Sequence, residues 1–320
     1  MQRIVVDWGT TNLRAHLVND GGAIADTRVA PRGVHNCHGN YREVLREFCG
    51  DWQQQWPGIP VYLCGMIGSR TGWHEAPYVE SPATPDALYR ALLPIPSEAN
   101  MFTVPGMRCI TPAGAPDVMR GEECQVLGAL EETGASEALI ILPGTHSKWV
   151  RVTDGSIHDF ATFFTGEMYA LLHQHSSIGA VLNLKHQHTG SFHRGLSESA
   201  GPGGLLNQIF SARTRTLCED TGDQSMSAYL SGILIGSEFI HGRQLFAPKG
   251  RIFLVSDPNL AVLYQMAADH FGLELWPLDP AHTVVRGVAR ICAAGAGLED
   301  KKASQPVRDQ TQPPEEVTQC

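Results

Sequence analysis

One pattern occurs twice in this chain, and it limits the folds open to it. VVDWGTTNLRAHL (residues 5–17) and IILPGTHSKWVRV (residues 140–152) each run an apolar strand into Gly-Thr, a few polar residues and a cation, then resume as a second strand. Gly9 aligns with Gly144 and Thr10 with Thr145, while Arg14 and Lys148 fall one position apart. A tight hairpin accounts for either stretch alone, because Asp, Gly, Thr and Asn are common turn residues. It does not account for recurrence 135 residues later (Gly144 against Gly9), about one domain length.

Two such loops, one per domain and facing each other across a cleft, can hold the phosphates of a nucleotide. Glycine lets the backbone approach closely. Consecutive backbone N–H groups and threonine hydroxyls can donate to phosphate oxygens. The expected phosphate-binding residues are Gly9, Thr10, Thr11, Asn12 and Arg14 in the first loop, and Gly144, Thr145, His146 and Lys148 in the second. His146 fits equally well as a phosphate donor or as a residue that shapes the turn. Asp7, at the strand end, can hold a Mg²⁺ ion through water.

With 320 residues, 42% of them apolar, the chain is long enough for two medium cores. A net charge of −9 without a basic block argues against a nucleic-acid partner, since phosphate-backbone affinity needs a clustered cationic face. The opening MQRIVVDWG has too short an apolar run for a signal peptide, and no stretch of about 18 apolar residues suggests a membrane span. Eight scattered cysteines without a C-x-x-C pair read as reduced thiols, so a cytoplasmic protein is expected. The histidine groups, His35/His38, His173/His175 and His186/His188/His193, lack structural-zinc spacing; the last is read as an exposed polar loop with Lys185 and Arg194.

Periodicity places a strand meander over 2–30 and a strand with a glycine-rich loop over 61–69. Further strands are expected at 138–142, 149–152 and 252–256, and in LELWPL. Helices are expected at 40–56, 85–93, 121–132, 166–175, 203–217, 225–240, 259–271 and 283–295. Strands grouped first, then strands alternating with helices, fit an α/β protein of two domains with mixed sheets and a cleft between them. The boundary is expected near residue 115, in TPAGAPD, giving domains 1–115 and 116–297. The polar segment 298–320 reads as a disordered tail.

DWGTTNLR resembles the first phosphate hairpin of the sugar-kinase, actin and heat-shock ATPase superfamily, especially the D-x-G-T-T-x-x-R of carbohydrate kinases. Together with GMIGSRTGW (65–73), VMRGEE (118–123), LPGTHSKWV (142–150) and FTGE (164–167), it makes the chain up to about residue 295 similar to the 2-dehydro-3-deoxygalactonokinase family. The resemblance implies two ribonuclease H-like (actin-like ATPase) domains, with ATP and Mg²⁺ as cofactors. It also implies ATP-dependent phosphorylation of 2-dehydro-3-deoxy-D-galactonate on its terminal hydroxyl. Whether the chain forms a homodimer is left open.

The resemblance also suggests roles. RGEECQVLGAL (120–130) is similar to the segment carrying the catalytic Asp in glycerol-kinase relatives, with Glu in place of Asp. Glu122 is preferred as the base because it follows Gly121 directly; Glu123 and Asp117 are the alternatives. The plainer reading is that both glutamates oppose the helix dipole, an effect worth under roughly 1 kcal/mol. For the sugar acid, the candidates are Gly65, Met66, Ser69, Arg70, Trp73, Arg120 and Glu167, since a carboxylate is best met by a cation or a helix N-terminus. The adenosine side falls to Ser256 and Asp257 in LVSDPNLAVLY, with SGILIGSEF (231–239) as a second wall or as helix-packing surface. A polyphosphate hydrolase and a nucleotide-switched binding protein are the rival readings on the same scaffold.

Overall fold

The computed structural model describes residues 2–96, 98–181, 188–219 and 225–303. The strand meander is β1 (Arg3–Trp8), β2 (Leu13–Val18) and β3 (Ile24–Ala30), followed by α1 (Tyr41–Gln55) and β4 (Val61–Cys64). Next come β5 (Tyr78–Glu80), α2 (Pro85–Arg90), β6 (Leu93–Pro94), β7 (Met101–Thr103), β8 (Gly106–Ile110) and β9 (Pro116–Met119). Helix α3 (Glu122–Thr133) leads into β10 (Ala138–Leu142), β11 (Ser147–Thr153) and β12 (Ser156–Phe163). Four helices follow: α4 (Thr165–His175), α5 (Thr189–Glu198), α6 (Gly204–Cys218) and α7 (Met226–Phe246). The chain then runs through β13 (Ile252–Val255), α8 (Pro258–Phe271), β14 (Leu275–Leu278) and α9 (Pro280–Ala303).

The repeat seen in the sequence extends to whole sheets. The first has strand order β3-β2-β1-β4-β7-β6 and the second β12-β11-β10-β13-β14. In each, three antiparallel strands are followed by two strands added parallel to the first. Parallel neighbours need a crossover, and helices supply it in both sheets. One apolar core crosses from sheet to sheet: Val5, Cys64 and Leu88 pack with Cys124, Leu127 and Leu130 of α3, with Val284 and Val288 of α9, and with Ile140 and Phe253. Helices α3 and α9 therefore join the two halves.

Three sequence expectations need correction. Residue 115 lies in the turn of the β8–β9 hairpin, where Ile110 pairs with Pro116 and Thr111 N–H donates to Ala115 O at 2.7 Å. The changeover between the main sheets therefore comes at α3. Helix α9 runs through Ala303, into the segment read as a tail, and residues 304–320 lie outside the described residues. The expected histidine loop is helix α5 from Thr189. The His188 ring caps it by accepting Ser191 N–H at 3.0 Å, and Phe192 and Leu196 are buried beneath it. Lys185 and His186 lie outside the described residues. Gly190, Gly195 and the serines hid this helix, because they favour turns when taken residue by residue.

Helix α7 is apolar nearly all round and buried on most positions from Met226 to Phe246, as a central helix should be. Glycines let α5 lie directly on it: a Cβ on Gly232 would sit 2.2 Å from Phe192 O. Helix packing thus accounts for the small residues of SGILIGSEF on that side. Among the described residues no helix is long and apolar enough to cross a membrane.

Candidate active site

In the first hairpin, Asp7 pairs with Arg14 and Trp8 with Leu13, and Gly9 N–H donates to Asn12 O at 2.9 Å. The next strap holds the tip by its carbonyls. Gly33, Val34 and His35 N–H groups donate to Thr11 O (2.8 Å), Gly9 O (3.0 Å) and Thr10 O (3.3 Å). Gly33 is required there, because a Cβ would lie 2.2 Å from Thr10 O. With the carbonyls taken, the N–H groups of Thr10, Thr11 and Asn12 have no protein acceptor among the described residues. Adjacent free N–H groups of this kind form an anion-binding nest. Asp7 Oδ2 meets Arg14 Nη1 at 3.3 Å. Burial raises the Asp7 pKa while Arg14 pulls it back.

The second hairpin repeats the register with a turn one residue shorter. Leu142 pairs with Lys148, so the cation stands where Arg14 stands despite the offset in the sequence. Its environment differs. Lys148 is only 5% exposed, and its Nζ donates to Val118 O (3.0 Å) and Thr162 Oγ1 (2.6 Å). Its amine is thus held by these two oxygens. Asp117, the third base candidate, accepts from Thr162 N–H (2.6 Å), Thr162 Oγ1 (2.8 Å) and Val118 N–H (2.7 Å). It thereby orients the hydroxyl that receives Lys148, which is a structural occupation.

The tip of the second hairpin rests on the start of α4. Glu167 N–H donates to Thr145 O at 2.8 Å, and a Cβ on Gly166 would lie 2.2 Å from Gly144 O. His146 Nε2 and Glu167 Oε2 stand 2.5 Å apart, and the ring stacks on Phe164. Glu167 thus supports the loop. Thr165 does not cap α4. Its hydroxyl donates to the buried Glu238 of α7 at 2.5 Å, alongside Ser147, Trp149 and Tyr264. Sequence reading missed Glu238. A lone carboxylate within the apolar run GILIGSEF was the available signal, since such a group must be buried and satisfied.

Gly65 (φ 88°) and Gly121 (φ 109°) bring the two halves together: a Cβ on Gly121 would be 3.0 Å from Gly65 Cα, and one on Gly65 3.5 Å from Asp7 Oδ1. Both glutamates that open α3 reach back over this contact. Glu122 Oε2 accepts Arg120 N–H at 2.9 Å, and Glu123 accepts Gly121 N–H at 2.8 and 2.9 Å. Glu123 is fully buried against Cys64 and Cys124, and burial, followed by the charge of Glu122, pushes its pKa up to about 8. Glu122 is half-buried, with Oε1 lacking a protein donor among the described residues. Burial raises its pKa and Asp7 adds to the rise, while Lys148 and the backbone bonds oppose it. Glu122 therefore feels Asp7 from the first hairpin and Lys148 from the second.

On the expected sugar-acid side, Arg120 is 7% exposed. Its Nη2 donates to Ala76 O at 2.8 Å, and its plane lies 4.3 Å from the Tyr78 ring centroid. Among the described residues its Nε and Nη1 have no protein partner, nor does Thr103 Oγ1, which shares the neighbourhood of Gly68 with Arg120. Ser69 is buried beside Thr71, Met66 and Trp73 are half-buried, and Arg70 is exposed. Trp8 and Trp149 are fully buried packing anchors.

A cavity of about 300 Å³ opens beside the second hairpin, between α4, α5, α7 and α8. Gly144, Thr165, Tyr169, Ser231, Leu263 and Tyr264 are among its walls. Part of each segment expected to face adenosine is therefore present, whereas Ser256 and Asp257 are not in the lining. Asp257 instead caps α8, accepting from Asn259 and Leu260 N–H at 3.0 and 3.2 Å, and the Ser256 hydroxyl donates to Asp257 O.

Comparison with known proteins agrees with this arrangement. The family model for 2-keto-3-deoxy-galactonokinase matches residues 7–291. The 2-dehydro-3-deoxygalactonokinase of Escherichia coli (strain K12) is 35% identical over 294 residues, covering 92% of this chain and 98% of that one. A crystal structure from Sinorhizobium meliloti, provisionally described as a 2-dehydro-3-deoxygalactonokinase, superposes with a TM-score of 0.83 at 31% identity, over 92% of this chain and 99% of the other. The activator of 2-hydroxyisocaproyl-CoA dehydratase from Clostridium difficile, solved with bound ADPNP, superposes at 0.55 with 12% identity over 96% and 99%. That last likeness shows the fold alone, the actin-like ATPase fold. The matches at about a third identity span nearly every motif of the site, and the chain is a kinase that belongs to the 2-keto-3-deoxy-galactonokinase family.

Proposed function

We propose that this enzyme transfers the γ-phosphoryl group of ATP to the terminal hydroxyl of 2-dehydro-3-deoxy-D-galactonate in the cytoplasm, with Glu122 as general base. The observation that carries the reading is the position of Glu122: a half-open carboxylate at the start of α3, electrostatically coupled to both hairpins. The two sheets form the cores of two lobes, with the crossover at α3, and the substrates meet between them.

In this reading the N–H groups of residues 10–12 and 144–146 receive phosphate oxygens, and the apolar cavity beside Gly144 takes the adenosine. Glu122 Oε1 accepts the proton of the attacking hydroxyl as its oxygen bonds to the γ-phosphorus. The bond to the β–γ bridging oxygen breaks and ADP leaves. Phosphoryl transfer of this kind depends on positioning and charge neutralisation more than on covalent chemistry. Burial raises the Glu122 pKa, which makes its carboxylate a stronger proton acceptor.

Among the described residues no cluster of three or more His, Cys, Asp or Glu side chains could hold a metal. Mg²⁺ needs only one or two carboxylates besides substrate phosphates and water. Asp7, 20% exposed beneath the first nest and close to Glu122, fits that requirement. Bound there, the ion would neutralise phosphate charge.

We assign the substrate carboxylate to Arg120, a buried cation whose Nε and Nη1 lack a partner among the described residues, with Thr103 beside it. ADP release measured over a panel of 2-keto-3-deoxy acids and hexoses tests the reading. Turnover should require a 2-keto-3-deoxy acid, and Arg120→Met should raise its KM at least about tenfold by removing a charge-assisted bond. ATP turnover that ignores the acid, or proceeds equally with water, would end it.

A further inference from the structure

Glu238 is a buried ionisable group that the reaction does not use. It lies on α7, is 2% exposed, and has no cation partner among the described residues. Four neutral donors meet its carboxylate instead. Oε1 accepts from Ser147 Oγ (2.6 Å) and Trp149 Nε1 (2.9 Å), and Oε2 from Thr165 Oγ1 (2.5 Å) and Tyr264 OH (2.7 Å). A carboxylate has about four lone-pair sites, so its capacity is filled.

The donors come from three elements that enclose one loop. Ser147 and Trp149 open β11, directly after the Gly144–His146 tip. Tyr264, on α8, and Thr165, at the start of α4, both line the cavity that Gly144 also lines. Thr165 is followed by Gly166, packed against Gly144 O, and by Glu167, whose N–H holds Thr145 O. The connection from carboxylate to loop is thus Glu238, Thr165, Gly166–Glu167, Gly144–Thr145. An apolar residue would fill the same volume without the desolvation cost of a buried carboxylate, and it would fix none of these directions.

We infer that Glu238 is the positioning residue of the second phosphate loop: through Thr165 and Ser147 it holds the loop's N–H groups in the geometry that receives ATP. The inference rests on the proposed role of that loop, so its test includes the loop itself. Steady-state KM for ATP and for the sugar acid, together with Tm, would be measured for Thr145→Ala, Thr165→Val, Glu238→Gln and Trp149→Phe. Thr165→Val and Glu238→Gln should each raise KM for ATP about tenfold, the scale of one hydrogen bond to a charged group, and leave KM for the sugar acid within about twofold. Trp149→Phe removes a bond to the same carboxylate on the side away from α4; it should lower Tm without moving KM for ATP.

If Thr145→Ala raises KM for ATP while Thr165→Val and Glu238→Gln change only Tm, Glu238 is a fold-stabilising group and the inference is wrong. If Thr145→Ala, Thr165→Val and Glu238→Gln all leave KM for ATP unchanged, the loop does not serve the phosphates, and the functional reading and the inference fall together. Should Glu238→Gln fail to fold, Thr165→Val decides alone, since it removes a single hydroxyl and keeps the side-chain shape.

Discussion

The first hairpin is pinned by three backbone bonds from the strap at residues 33–35, whereas the second rests on one backbone bond from Glu167 and on side chains gathered by Glu238. Their strand ends differ as well. The first carries Asp7 opposite Arg14; the second carries Leu142 opposite a buried Lys148. A duplicated turn has therefore been given two tasks. The first presents a carboxylate and an exposed cation on a stiff backbone frame. The second turns its cation inward, towards Glu122, and depends on the helices around the cavity for its shape.

The comparison can be broken most decisively at the residue both hairpins influence. Glu122→Gln should lower kcat by about 10²- to 10⁴-fold, the range for loss of a positioned general base, with nucleotide binding retained. Near-normal kcat would move the base elsewhere and remove the reason for Lys148 to turn inward.

Next in size are the glycines beneath each tip. Gly33→Ala drives a Cβ within 2.2–2.3 Å of three backbone atoms of the first tip, while Gly166→Ala meets only Gly144 O at comparable range. Both should raise KM for ATP, Gly33→Ala by about 10²-fold, as for a displacement near 1 Å, and Gly166→Ala by less. The reverse order would show the second tip to be the stiffer one.

Glu123 gives a smaller, pH-dependent effect. Its folded pKa, about 8, lies above the ordinary value of 4.5. Its contribution to stability is thus fully present below about pH 4.5 and is lost as pH rises through about 8. Thermal melts should show Glu123→Gln gaining Tm relative to the parent between pH 5 and 8; parallel curves would mean that the group does not titrate there. Smallest of all, Arg14→Met should change stability by no more than about 1 kcal/mol, because the Arg14 side chain of this ion pair is 44% exposed, and denaturant unfolding would measure this.

Much of this asymmetry was hidden in the sequence for physical reasons. The hairpins, α1, α3, α7 and α8 follow from local spacing and capping, as at Asp257-Pro258, and were legible. The inward turn of Lys148 was not, because a strand position has two faces and the sequence does not say which one holds Val118 O and Thr162. Helix α5 lies on α7 by close backbone contact at Gly195 and Gly232, a tertiary effect that propensity misses. The cavity beside Gly144 is assembled from four helices widely separated in sequence, so the segments lining it could be guessed, while Ser256 and Asp257 of one of them lie outside the lining. Glu122 was preferred over Glu123 on its place after Gly121; the structure adds that Glu123 is sealed among thiols and Glu122 is open.

The decisive observation would be a crystal structure with a non-hydrolysable ATP analogue and the sugar acid bound. The N–H groups of Thr10 or Thr11 and those of Thr145 or His146 should lie within about 3 Å of oxygens on the same triphosphate. A triphosphate held by one hairpin alone, with the other tip facing solvent, would show that the duplicated turn does not act as a pair.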